Sequence, residues 1–245
     1  MKAYIKQAVP QSFIVHSKVA LRYAQHLSDG SFFKWASPKA AAIKDHLLSQ
    51  LIEKQEIKRG ELFDNKLSNI RLTASKISGI VIRRGAIFSF WHIVGNPSER
   101  NGFQKSRIIK NGVVDFETGG GVCQVSGLVY LAALKAGLKI LERHNHSVDI
   151  YEEHERFSPL GADATVVYGS KDFQFLNDSV GDIQLTINVL REDEIILTLL
   201  SSHKIEEKML HFDRHEEGSK RIVTTIAERH GKREQVAVSV YKIKQ

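Results

Sequence analysis

A single cysteine, Cys123, stands in a chain of 245 residues. No intramolecular disulfide can form, and a zinc module built from several cysteines is excluded. There are only four prolines and no low-complexity run, which argues against long disordered stretches. No apolar run reaches the roughly 18 residues that a membrane-spanning helix needs. Lys2, Lys6, Pro10 and Gln11 interrupt the first fifteen residues, so the apolar core of a signal peptide is missing there. The expected compartment is the cytoplasm, and no cofactor is expected.

Apolar residues make up 42% and charged residues 26%, an ordinary globular composition on a chain long enough to bury a core. The formal net charge is +7. The excess is largest in the first sixty residues, with 10 Lys and Arg against 4 Asp and Glu. The dense spots are only Lys58-Arg59, Arg83-Arg84 and Lys232-Arg233. Such scattered charge reads as a solvated basic surface, so a nucleic-acid partner is not expected. Attraction to an anionic ligand stays open. The sequence leaves the oligomeric state undetermined.

The patterning predicts helices first and strands later. Residues 17–28 read as a short helix stopped by Asp29-Gly30. A second helix is predicted from Ser37 as N-cap and Pro38 at its first position, with Ile43, Leu47, Leu48, Leu51 and Ile52 on one face. A third is predicted over 69–80. From Gly85 to Trp91 bulky residues alternate as in an extended segment. Residues 106–109 and 113–116 read as a hairpin around Asn111-Gly112, because both positions of that turn tolerate positive φ. A central helix over 122–136 follows three glycines and stops at Gly137. Strands are expected over 138–146, 164–168, 172–176, 183–190 and 195–200, with two or three more in the tail. The expected class is α+β: N-terminal helices, then a central helix packed on an antiparallel sheet. The chain reads as one domain, 1–245, in which residues 1–84 are helical, residues 85–202 form the core and residues 203–245 add a β extension.

The unusual segment is Gly119-Gly120-Gly121-Val122-Cys123-Gln124-Val125-Ser126. The glycines give the backbone conformations closed to other residues and allow a ligand to approach closely. Cys123 falls in the first turn of the central helix, where free N–H groups and the helix dipole favour an anion. A thiolate nucleophile is the chemical reading, with N–H groups near Cys123 and Gln124 holding an oxyanion. The competing reading is a small buried thiol beside a tight turn. Arg143-His144-Asn145-His146-Ser147 supplies two imidazoles, either of which could serve Cys123 as general base and acid. Asp163 opens the apolar run Ala164-Thr165-Val166 and could orient an imidazole; Glu117 and Asp172 are weaker candidates. The order Cys, His, Asp is similar to that of transglutaminase-like and NlpC-type cysteine enzymes. The same Cys123, His144 and His146 could instead be zinc ligands, since His-x-His places both rings on one strand face.

Ile87-Phe88-Ser89-Phe90, Gly95, the run from Gly119 to Ser126, Arg143 with His146, Asp163-Ala164-Thr165 and Tyr168-Gly169-Ser170 resemble the VanW family over about residues 70–180. The resemblance favours His146 over His144 as the partner of Cys123, with His144 as a helper, and Asp163 over Glu117. The resemblance marks the site and no reaction; with the reading of the residues above, the expected catalytic groups are Cys123, His146 and Asp163, with Gly119, Gly120, Gly121, Gln124, Ser126 and His144 as ligand-binding neighbours. The expected activity is acyl transfer or amide hydrolysis on a peptide or cell-wall-precursor-like ligand. A non-catalytic ligand-binding protein and a metal-dependent hydrolase are the alternatives.

Overall fold

A computed structural model describes residues 10–37, 48–110, 113–149 and 156–243. Four α-helices are present among them: α1 (Gln11–Ser28), α2 (Phe63–Ile77), α3 (Phe90–Val94) and α4 (Val122–Lys135). The strands are β1 (Ser49–Glu56), β2 (Ile80–Ile82), β3 (Ile87–Ser89), β4 (Lys105–Lys110), β5 (Val113–Thr118), β6 (Lys139–Glu142), β7 (Val148–Asp149), β8 (Gln174–Leu176), β9 (Ile183–Leu190), β10 (Glu194–Ser201), β11 (Met209–Glu217), β12 (Lys220–Arg229) and β13 (Lys232–Ile243). Apart from the parallel pairing of β13 with β7, the strand pairs are antiparallel, so the class is α+β.

Three small sheets and a hairpin surround α4. One sheet has the order β1-β10-β9-β2, the second β3-β8-β6, the third β11-β12-β13-β7; β4 and β5 form the hairpin. Helix α4 is apolar on nearly every side and buries twelve of its residues, from Val122 to Leu134. A helix apolar all round must be enclosed, and it packs against α2, β1, β6, β10 and β11. Its buried Val125, Leu128 and Val129 share one core with Ile70 and Ile77 of α2, Phe173 and Phe175 near β8, and Leu185, Leu197 and Leu199 of β9 and β10. A second cluster, Leu160, Val223 and Tyr241, joins the third sheet to the loop before Asp163.

Several predicted elements fall elsewhere. The second helix does not reach Leu51 and Ile52. Residues 49–56 form β1, paired along their length with β10, and they alternate Leu51, Glu53 and Gln55 inward with Ile52, Lys54 and Glu56 outward. The strong period-2 environment of a sheet edge overrode apolar residues that also fit a helical stripe. The remainder of that predicted helix, 38–47, lies outside the described residues, as does the Asn111-Gly112 turn. The flanking strands nonetheless pair from Lys105↔Thr118 to Lys110↔Val113. Phe90 and Trp91 open a short helix rather than continuing the strand, because Ser89 Oγ accepts the His92 N–H and caps it. The strand predicted over 138–146 ends at Glu142, and 164–168 contributes only a single bridge, Val167 to Lys171. Among the described residues no helix is long and apolar enough to cross a membrane.

Candidate active site

The glycine run carries α4 into place between α2 and the β4–β5 hairpin. Gly119 and Gly121 hold φ of 94° and 97°, a region that L side chains rarely adopt. Gly120 has a different reason to be glycine. A Cβ there would stand 2.6 Å from the Arg107 carbonyl oxygen and 2.9 Å from Ser106 Cβ. Asn69 of α2 donates to the Gly120 carbonyl at 2.9 Å and locks the turn from the other side. The space that all three glycines leave is therefore filled by the protein's own chain. Val122 N–H donates to Gly119 O at 3.2 Å and Gln124 N–H to Gly121 O at 3.1 Å.

Cys123 follows in the first turn, half-buried. Its sulfur lies 3.8 Å from Thr165 Oγ1 and 3.7 Å from the Val166 carbonyl oxygen, and the His146 ring stands near enough to act on it electrostatically. On the other side of that ring, Nδ1 is 2.7 Å from Asp163 Oδ2, which leaves Nε2 for the sulfur. The same Asp163 oxygen accepts the His146 backbone N–H at 2.7 Å. Asp163 Oδ1 accepts from Arg143 Nη2 at 2.9 Å and from the Tyr241 hydroxyl. Arg143 also donates from Nε to Asp163 O at 2.7 Å and from Nη2 to Gly161 O at 3.0 Å, and it lies over the Tyr130 ring.

Close approach of α4 to the Asp163 segment depends on two small residues of the helix. Ser126 Oγ donates to Ala164 O, and Gly127 faces Asp163 Cα with no side chain between them. Thr165 N–H donates to His144 O at 2.7 Å and joins the aspartate segment to the histidine segment.

The electrostatics follow from this geometry. Burial pushes the Cys123 thiol up, but the neighbouring His146 ring and its positive charge, with smaller help from Val166 O and Thr165, bring it below the usual thiol range. Burial pushes the His146 imidazole down, yet its hydrogen bond to Asp163 and the neighbouring Cys123 raise it to about 10. Burial alone would raise the Asp163 carboxyl; the His146 ring, Arg143 and the His146 amide hold it at about 2. These shifts run in one direction: they favour an imidazolium held between the Asp163 carboxylate and the Cys123 sulfur.

The structure brings Cys123, His146 and Asp163 together and gives the other candidates different partners. Gln124 Nε2 donates to Glu56 O at 2.7 Å and ties α4 to β1. His144 Nε2 contacts Glu142 Oε1 at 2.9 Å, and Glu142 in turn accepts from Arg22 of α1 and from Asp172 N–H. The rings of residues 144 and 146 do not share a strand face, because β6 has already ended. Asp172 is committed to Ser89, Gln174 and the amides of Trp91 and Phe173; Glu117 is exposed on β5. Among the described residues no group of three or more His, Cys, Asp or Glu is placed to hold a metal ion. Sequence reasoning missed Thr165 and Tyr241. Thr165 sits within the Asp163-Ala164-Thr165 motif, whereas nothing local marks Tyr241.

Comparison with known proteins fits this site into a wider group. The family described as VanW-like protein matches residues 65–200, a span that holds Cys123, His146 and Asp163. The vancomycin B-type resistance protein VanW of Enterococcus faecalis is 32% identical over 134 residues, covering 55% of this chain and 48% of that protein. The uncharacterized protein YoaR of Bacillus subtilis is 34% identical over 142 residues, covering 58% of this chain and 45% of its own. The match thus spans about half the length of these relatives, and no solved structure matches. With more than half of its length in that match, the chain belongs to the VanW-like family.

Proposed function

We propose that this protein is a cysteine acyl-transfer enzyme that cleaves or exchanges an amide bond in a peptide. The Cys–His–Asp order resembles that of transglutaminase-like and NlpC-type enzymes, and the observation that supports the reading is the His146 ring, hydrogen-bonded to Asp163 and set beside Cys123 at the start of α4. The Cys123 thiolate attacks the amide carbonyl carbon and forms a C–S bond. The carbonyl electron pair moves to oxygen, and we assign the Cys123 backbone N–H to that oxyanion, since Val122 and Gln124 give theirs to Gly119 and Gly121. The imidazolium of His146 passes its Nε2 proton to the leaving amine nitrogen as the C–N bond breaks, leaving a thioester on Cys123. Water or a second amine then attacks the thioester, His146 takes its proton, and the thiolate departs. Asp163 accepts from Nδ1 throughout and stabilises the imidazolium each time it forms.

The name of the Enterococcus relative ties that protein to vancomycin resistance. That is the ground for proposing a cell-wall peptide or its precursor as the acyl donor here. Hydrolysis and transfer differ only in the acceptor and share every protein group above.

The test uses the single thiol. Iodoacetamide alkylation should follow a thiolate titrating well below the free-cysteine value of about 8.5. With p-nitrophenyl acetate, a burst of nitrophenolate stoichiometric with protein should appear and vanish in Cys123→Ala. An alkylation profile centred near the free-thiol value, with no burst, would refute the proposal.

A further inference from the structure

The acceptor of the chain, Asp163, is held by a region of the molecule outside the span shared with the VanW-like family. That span ends at residue 200, and β11, β12 and β13 follow it. Three features dock this third sheet on the site. First, β13 pairs in parallel with β7, and Lys242 N–H donates to Ser147 O at 2.9 Å, directly after His146. Second, Leu160 is buried against Val223 and Tyr241, with Phe212 beside them. Gly161, at φ 98°, lies so close that a Cβ would meet Val223 Cγ1 at 2.8 Å. Third, two neighbours on one face of β13 reach the charged groups. Ser239 Oγ accepts from Arg143 Nη1 at 2.6 Å. The Tyr241 hydroxyl accepts the Gly161 N–H at 3.1 Å and donates to Asp163 Oδ1.

Both carboxylate oxygens of Asp163 are thereby committed. Among the described residues, Oδ2 accepts from His146, and Oδ1 accepts from Arg143 and Tyr241. A carboxylate held at one oxygen by two donors cannot rotate about its last bond, so the other oxygen stays on His146 Nδ1. Tyr241 and Ser239 are themselves fully buried, and burial with the nearby Asp163 charge pushes the Tyr241 phenol up, so it stays a donor.

We infer that Tyr241, supported by Ser239, is a positioning residue of the site: β13 fixes the rotation of Asp163 and through it the imidazolium that faces Cys123. The inference rests on the thiolate–imidazolium reading above. The titratable and charged groups facing this carboxylate are His146, Arg143, Tyr241 and, more remotely, Tyr130.

The experiment is the pH profile of Cys123 alkylation by iodoacetamide in the full chain, wild type against Tyr241→Phe, with thermal unfolding as a check on folding. Phe keeps the ring in its cluster and removes only the hydroxyl. A freed carboxylate should hold the imidazolium less well, so the thiolate titration moves up by about one unit and alkylation below both midpoints falls about tenfold. Val240→Thr, on the exposed face of the same strand, should leave the profile unchanged. If Tyr241→Phe fails to fold, Ser239→Ala is read the same way. A variant profile that superimposes on wild type overturns the inference even when the protein melts lower. A shift to lower pH also overturns it, since the hydroxyl would then only compete with His146 for the carboxylate. An ordinary thiol profile in the wild type is a separate failure: it sinks the thiolate reading itself before any variant is compared.

Discussion

Replacing Gly120 by alanine adds one methyl group, and the structure says where it would go. The new carbon would sit 2.6 Å from the Arg107 carbonyl oxygen and 2.9 Å from both Cβ and Oγ of Ser106. The first obstacle is backbone in β4, which is paired with β5 and cannot swing aside as a side-chain tip could. The α4 turn or the hairpin must move, and forced overpacking of this kind costs roughly 1–3 kcal/mol. Gly121→Ala meets a different pair of penalties. Its φ of 97° costs an L residue about 1–2 kcal/mol. Its Cβ would also stand 3.0 Å from Ile70 Cγ1 and 3.2 Å from Lys66 O, so about 3 kcal/mol in all is expected. For a chain of this size a loss near 3 kcal/mol lowers the melting midpoint by roughly 6–12 °C. The assay is thermal unfolding followed by near-UV circular dichroism, with Gly218→Ala as reference: φ is also positive there, but nothing stands within 4 Å. A Gly120→Ala protein melting within a degree or two of wild type would refute the close approach of hairpin and α4. The run of glycines suggests open room for a ligand; these distances make it first a packing device, so Gly121→Ala should hurt folding as well as thiol reactivity.

Two further outcomes follow from the charges. Asp163→Asn should raise the Cys123 titration by one to two units and cut alkylation at pH 6 by roughly 10- to 100-fold. The imidazolium loses its counter-charge, and an amide cannot accept from His146 and from Arg143 with Tyr241 at once; an unchanged profile would show that Asp163 does not act on the thiol. Stability should also fall in acid. The Asp163 carboxyl is lowered from 3.8 to about 2, so the unfolded chain binds its proton first as the pH drops. About 2 kcal/mol of stability is present above pH 4 and is lost as the pH falls through 2. Urea midpoints at pH 5 and pH 2.5 should therefore converge more in Asp163→Asn than in wild type, and equal slopes in both would refute the assignment. His146 runs the other way: raised from 6.5 to about 10, it stabilises below 6.5, and that contribution is lost as the pH rises through 10.

What can be read from the sequence is local, and what cannot is distant. Helix α4 is legible because its start, three glycines, and its stop, Gly137, both lie beside it; it runs from Val122 to Lys135. Strands β9 and β10 are legible because one turn joins them, with Arg191 and Glu192 taking positive φ. Strand β1 reads wrongly as helix because its partner is β10, nearly 150 residues later, and its apolar spacing alone fits a helix as well as a strand. The site divides in the same way. Cys123 declares itself by its place after the glycines, and the choice between His144 and His146 needs the family resemblance, because the strand expected to carry both ends at Glu142. The clamp on Asp163 has no local mark at all. Tyr241 lies 78 residues from it, and its alternation with Val240 and Lys242 looks like any edge of a sheet. Yet a buried carboxylate beside an imidazolium needs donors on its far oxygen, or it would rotate or take up a proton. Arg143 can be suspected for that task from its place beside the histidines. The second donor has to come from wherever the fold delivers one, and only the docking of β13 on β7 brings Tyr241 there.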